Sequence, residues 1–191
     1  MSVSRPLPPK ARSVTQQGAP DGFVPPTFYA PEVLQGGHTR LTVSGPPARL
    51  EAAHKALVAA LQPPLKLLYI QLTDRKTGQL PKPVQRVAVE LPRDRVLQAL
   101  RDYRRLVYHD GRHQLWVRGN AGEQVVLEEV GMLYVYPDDF QFRDLLEGCG
   151  VPEGSGETLA TRDYIRVEFL ADADAEEAAL IRDLNLIEWD G

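Results

Sequence analysis

Two imidazoles and a carboxylate lie within five residues in His109-Asp110-Gly111-Arg112-His113. Those side chains can ligate zinc or another divalent cation. A turn does not hold them on one face as a helical i, i+4 pair would, and no third ligand stands at a metal-site spacing. The segment reads instead as a helix-to-strand turn whose geometry comes from Asp110-Gly111, and no metal ligand is assigned. Glu128-Glu129 and Asp138-Asp139 form a second acidic group, and paired carboxylates can exchange protons or hold magnesium. Adjacent residues of a strand point to opposite faces, however. Aspartates just ahead of a helix are favoured there by the exposed amides and the dipole. Cys149 sits between glycines at a helix C-terminus near Glu147 and Glu153, the reverse of the cationic setting that makes a reactive thiolate. No serine lies in G-x-S-x-G, and there is no Walker loop, dinucleotide fingerprint or H-E-x-x-H. No catalytic residue and no cofactor follow. A metal-dependent enzyme of unknown reaction is the least supported of three readings.

The remaining chemistry is aromatic and basic. In His113–Arg118, Leu115 and Val117 alternate with Gln114, Trp116 and Arg118; in a later strand Met132, Tyr134 and Tyr136 share a face. With Trp116, Tyr134 and Tyr136 on one side of a sheet, an aromatic platform forms beside Arg118, and Arg101 and Arg105 of a helix add cations to the candidate surface. Such a surface can anchor a partner protein or stack nucleic-acid bases. The aromatic-rich K/R-G-F/Y-G/A-F-V-x-F/Y run of RNA-recognition modules is missing. A purely structural expectation competes and is slightly favoured: the C-terminal helix and strands cover this face as a second core layer.

Period and punctuation give the elements that must position these residues. Thr39–Ser44 alternates as a half-buried strand, and Ala48–Leu61 is a helix with Leu50, Ala53, His54, Leu57 and Leu61 on its core face. Leu65–Thr73 is apolar on both faces, the mark of a central strand. Val84–Leu91 is a strand with Val87, Val89 and Leu91 inward and Arg86 and Glu90 outward. A helix over Arg93–Tyr108 and a strand over His113–Arg118 complete the order βαββαβ, a ferredoxin-like core. Strands at Glu123–Glu129 and Gly131–Tyr136, a helix at Phe140–Glu147, a strand at Asp163–Leu170, an acidic helix at Asp174–Leu184 and a short strand at Leu186–Trp189 extend it. The fold class is therefore α+β. Residues 1–37 hold seven of the sixteen prolines and keep neither period, so they read as an irregular, extended arm. Phe23, Val24, Phe28, Tyr29, Val33 and Leu34 would pin its second part. The organisation expected is an arm, 1–37, and a single domain, 38–191.

That domain is electrically divided. Residues 38–118 carry fifteen basic and six acidic side chains, and residues 119–191 four basic and eighteen acidic. Either the halves neutralise each other by packing, which is favoured, or each meets its own partner. Forty-three per cent apolar residues in 191 are enough for a core without staples. One cysteine excludes an intrachain disulfide, no apolar run is long enough for a membrane span, and the first residues lack the apolar stretch of a secretory signal. The expected setting is cytoplasmic. The expected function is a non-catalytic protein-binding module, its acidic surface and arm suited to a basic partner such as a toxin or nuclease. Nucleic-acid association through the basic ferredoxin-like part is the alternative.

Overall fold

Alternating apolar residues separated by glycine and proline turns give strands, and 3.6-period runs give helices, in the following order. They are β1 (Ala11–Ser13), β2 (Phe28–Val33), β3 (Thr39–Ser44), α1 (Pro47–Ala60), β4 (Leu65–Asp74), β5 (Gly78–Leu91), α2 (Arg93–Asp102) and α3 (Arg104–His109). Then come β6 (His113–Arg118), β7 (Gln124–Leu127), β8 (Leu133–Tyr136), α4 (Phe140–Gly148), β9 (Tyr164–Arg166), α5 (Ala171–Asp183) and β10 (Ile187–Glu188). The computed structural model describes residues 7–166 and 170–190. The expected strand Asp163–Leu170 is seen over Tyr164–Arg166, and its next three residues lie outside the described ones.

Among the described residues one eight-stranded sheet runs in the order β10-β5-β4-β6-β7-β8-β3-β2, and every neighbouring pair in it is antiparallel. Its inner face carries Leu41, Val43, Leu67, Tyr69, Ala88, Leu115, Val117, Val125, Leu127, Leu133 and Val135, which form one core with apolar side chains from all the helices. Burial of that many branched side chains, each contributing about 1.5–3 kcal/mol, holds the two layers together. Pro47 at the first position of α1 and Asp139 at the cap of α4, accepting from Gln141 N at 2.8 Å, set where those helices begin.

The α+β class stands, and the order of strands corrects the ferredoxin-like expectation. The strands of the presumed βαββαβ unit do not form one contiguous layer, because β7 and β8 are inserted between β6 and β3. Two further differences have local causes. Glu90 takes φ 56° beside a register shift between Leu65 and Leu67, and this bulge changes the side-chain phase. Ala88 therefore joins the core while Val87 turns to the other face and Val89 is exposed. The helix expected over Arg93–Tyr108 is two, α2 and α3, meeting at Tyr103 (φ −106°, ψ 35°). The arm is also less irregular than its prolines imply. Its residues Phe28–Val33 make the sheet's edge against β3, and Ala11–Ser13 pairs with β9 in a separate two-stranded sheet.

The charge division is largely settled inside the fold. Arg75 meets Asp174 at 2.7 Å, Arg105 meets Asp172 at 2.7 Å, and Arg86 meets Glu188 at 3.1 Å. Arg112 reaches both Asp174 and Glu177. Each pair joins the basic part to the acidic part.

Candidate functional site

The helices occupy one face of the sheet. The other carries a row of directly opposed residues that crosses all eight strands: Ala30, Thr42, Tyr134, Val126, Trp116, Leu68, Val87 and Ile187. None of them belongs to either hydrophobic core cluster. Tyr134, Val126 and Val87 are buried by their neighbours, Leu68 and Trp116 are half-exposed, and Ile187 is 62% exposed. Among the described residues no second core layer covers this row; the smaller apolar cluster of Ala11, Val130, Met132 and Leu159 does not include it. The C-terminal helix α5 packs beside α3 on the inner side, and β10 lengthens the sheet instead of covering it.

Trp116, Tyr134 and Tyr136 do share this face, as their spacing implies, but only part of the platform is open. The Arg40 guanidinium lies 4.1 Å from the Tyr134 ring centre, a cation–π contact, and also donates to the Tyr136 hydroxyl at 3.2 Å and to Glu32 at 2.7 Å. Tyr134 is thus roofed. Trp116 is held differently: its indole N–H donates to Gln114 Oε1 at 3.1 Å, and Gln114 donates to Glu129 at 2.7 Å. Two residues from Trp116, Arg118 is exposed and stands directly opposite Lys66 across the β4–β6 pair. Like charges so placed repel. No ion pair is formed by either among the described residues, and the Lys66 ammonium rests 5.4 Å from the Trp189 ring centre. Near Tyr134 and Arg40, burial first and then the nearby Glu129 push the Glu128 carboxyl up to about 7.

Arg101 and Arg105 do not join that surface. They lie in the helical layer, where Arg101 donates to Gln98 at 2.7 Å and Arg105 pairs with Asp172. Lys66 carries no local signal that marks it. Its cross-strand partner depends on sheet order, which no local pattern carries.

The His109–His113 turn forms a structural dock, and among the described residues no group of three or more His, Cys, Asp or Glu side chains is arranged to hold a metal ion. Asp110 accepts from the Arg112 backbone N–H at 3.0 Å and grips its guanidinium through two bonds of 2.9 Å, with both side chains buried. His109 Nδ1 bonds the Pro8 carbonyl at 2.6 Å. His113 stacks on Tyr69 with ring centres 4.8 Å apart, and the Tyr69 hydroxyl donates to Glu177. Into this dock the arm inserts Lys10, only 2% exposed. Its ammonium donates to Val107 O at 3.1 Å and lies 3.4 Å from His113 Nε2. Burial drives Lys10 down to about 7, against the weaker pull of Asp110 and Glu129. Burial also holds His113 well below its usual range and His54 near 3.

Between the arm and the body lies a cavity of about 210 Å³. Ala11, Phe23, Pro25, Leu50, Leu127 and Val130 make most of its wall, and Lys10 and Tyr108 are also part of it. The Tyr108 hydroxyl is bonded to His54 Nδ1 at 3.0 Å. Nothing in the Pro-rich arm distinguishes Lys10 from a surface lysine until the arm is placed. Compared with known proteins, the chain matches no family model, no curated protein and no solved structure.

Proposed function

We propose that this protein is a non-catalytic binding module of the cytoplasm that holds an acidic, apolar segment of a partner protein against the helix-free face of its sheet. The observation that carries this is the partly exposed Trp116 beside Arg118 and Lys66, two cations opposed in register that form no ion pair among the described residues. Trp and Arg are the side chains most enriched where binding energy concentrates. A carboxylate from a partner would relieve the Lys66–Arg118 repulsion, so binding and electrostatic relief coincide. The basic partner suggested by the acidic half fits less well, since many of those carboxylates already pair within the fold. One cysteine in the chain suits a reducing compartment.

The test is selection of displayed random peptides on the wild-type protein, with parallel selection on a Trp116→Ala/Arg118→Glu double variant. Arg118→Glu places opposite charges across β4 and β6, so the fold is not put at risk by it. Peptides joining Asp or Glu to an aromatic or aliphatic residue should be enriched on the wild type. They should bind the variant at least about 30-fold more weakly, the loss of one central anchor. Single-stranded RNA and DNA are measured alongside. Peptides that bind both proteins equally, or an oligonucleotide that binds through this face in place of peptides, would overturn the reading.

A further inference from the structure

We propose that the cavity beneath the N-terminal arm is a second binding site, one that takes a small, neutral, apolar molecule and, when filled, holds the arm against the body. The cavity lies on a seam between two cores. Leu50, Tyr108 and Leu127 of its wall belong to the main core, whereas Ala11, Val130 and Leu159 belong to the small cluster on which Phe23 packs. Its volume of about 210 Å³ suits one six-membered ring with a small substituent, or a short alkyl chain, since a dry apolar cavity of ~150 Å³ already holds benzene. Close-packed interiors keep few voids of this size. A guest there restores the contacts the lining lacks and leaves water in doing so.

The polar groups of the wall set the chemistry of the guest. Among the described residues no acidic side chain lines the cavity. Three of the four polar side chains that do, Lys10, Ser13 and Tyr108, bond groups that stand outside the lining. The Lys10 ammonium bonds Val107 O and His113 Nε2, the Ser13 hydroxyl donates to Asp21 and accepts from Arg162, and the Tyr108 hydroxyl bonds His54. The fourth, Arg12, is exposed to solvent. A charged or strongly hydrogen-bonding guest would give up its water with no partner held ready for it, which is costly. A hydrocarbon body gives up nothing.

The same seam couples the guest to the arm. Ala11, Phe23 and Pro25 of the wall come from the arm, and Leu50, Leu127 and Val130 from the body. Lifting the arm removes much of the wall, so a guest binds the docked arrangement and not the open one, and by mass action it favours docking. Val24 lines the cavity while 71% exposed, so the way in lies beside it, and exchange of the guest needs no unfolding of the sheet.

The probe is toluene, titrated into the full chain and followed by methyl NMR. Shifts should saturate and should centre on Ala11, Leu50, Leu127 and Val130. Benzoate, of nearly the same shape but charged, should bind at least about tenfold more weakly. Trypsin reads the arm: cutting after Lys10 or Arg12 requires Ala11–Ser13 to leave β9. With toluene at about three times its Kd, that cleavage should slow about fourfold. Val130→Phe, which fills the cavity, should abolish both the saturating shifts and the protection; if that variant does not fold, the smaller filler Ala11→Val takes its place. Shifts that do not saturate or that scatter over the surface would overturn the proposal. So would benzoate binding as tightly as toluene, or saturating binding with no slowing of cleavage. These readouts concern residues absent from the outer row of the sheet, so their outcome is independent of the peptide selection on Trp116 and Arg118.

Discussion

Replacing Lys10 by methionine keeps the aliphatic stem and removes the amine, and the consequence for stability depends on pH in a way few other substitutions share. Lys10 falls from 10.5 to about 7 on folding, which corresponds to a penalty on the order of 5 kcal/mol wherever both states are protonated. Below pH 7 that penalty is present in full. Between pH 7 and 10.5 the unfolded chain binds the proton and the folded chain does not, so the penalty shrinks by about 1.4 kcal/mol per pH unit and vanishes above that window. Against it stands the hydrogen bond to Val107 O, together with the contact to His113 Nε2; loss of these leaves a buried acceptor unpaired, at a cost of about 1–3 kcal/mol. Lys10→Met should therefore be more stable than the wild type at pH 6.5, by roughly 2–4 kcal/mol on these figures. At pH 10 it should be the less stable of the two. Urea unfolding of both proteins at half-unit steps from pH 6.5 to 10 measures this. Amide exchange of Ala11–Ser13 would show whether the arm opens before the body does. A difference between the two proteins that stays constant across the range would refute the reasoning, because it would mean that Lys10 has the same proton affinity folded and unfolded.

Asp110→Ala removes both bonds to the buried Arg112 guanidinium and the bond to Leu170 N; a broken buried pair costs about 3–5 kcal/mol, to be read as a drop in urea midpoint. Gly111→Ala would set a methyl 2.5 Å from Lys10 O and 3.0 Å from Arg166 Cβ, so the arm must shift; trypsin should cut after Lys10 and Arg12 faster in that variant, while cleavage within the sheet stays slow. Glu128 stands near 7 in the fold, above the ordinary glutamate value, so the protein loses stability as pH rises from about 4.3 to about 7 and loses no more above that. Glu128→Gln should accordingly unfold at higher urea than the wild type at pH 8 and at the same urea at pH 4, and an equal gain at both values would contradict the burial argument.

What could be read from the sequence was whatever depends on neighbours along the chain. Thr39–Ser44 and His113–Arg118 match observed strands residue for residue, because alternation is a local consequence of the pleat. The core face of α1, from Leu50 through Leu57, is buried as its period required. Two kinds of fact were out of reach. The first is pairing across distance: Lys66 opposite Arg118, or β7 and β8 entering between β6 and β3, is decided by which arrangement buries the whole apolar set. No short window contains that information. The second is conformation that breaks a period. At Glu90 one residue with positive φ reverses the expected faces of Val87 and Ala88. Of the candidate residues, Trp116, Arg118, Tyr134 and Tyr136 share a sheet face, as strand period implies, whereas Arg101 and Arg105 lie on the helices, a separation that a charge count does not carry.

The division of charge between the two halves bears on function mainly through what it leaves over. The exposed ion pairs between them, such as Arg75–Asp174 or Arg105–Asp172, contribute only a few tenths of a kcal/mol each. Their joint effect is to lower self-repulsion in a chain that would otherwise carry opposite poles. The cations left without such partners then become the informative ones. Arg118 and Lys66 face each other on the side of the sheet that no helix covers, and a Trp, a Tyr and aliphatic side chains lie on that same side. A carboxylate in place of either cation would give a favourable cross-strand pair. The uncompensated like charges next to the partly buried indole are the reason the binding proposed above is placed on this face and not on the larger, internally paired charges of the helical layer.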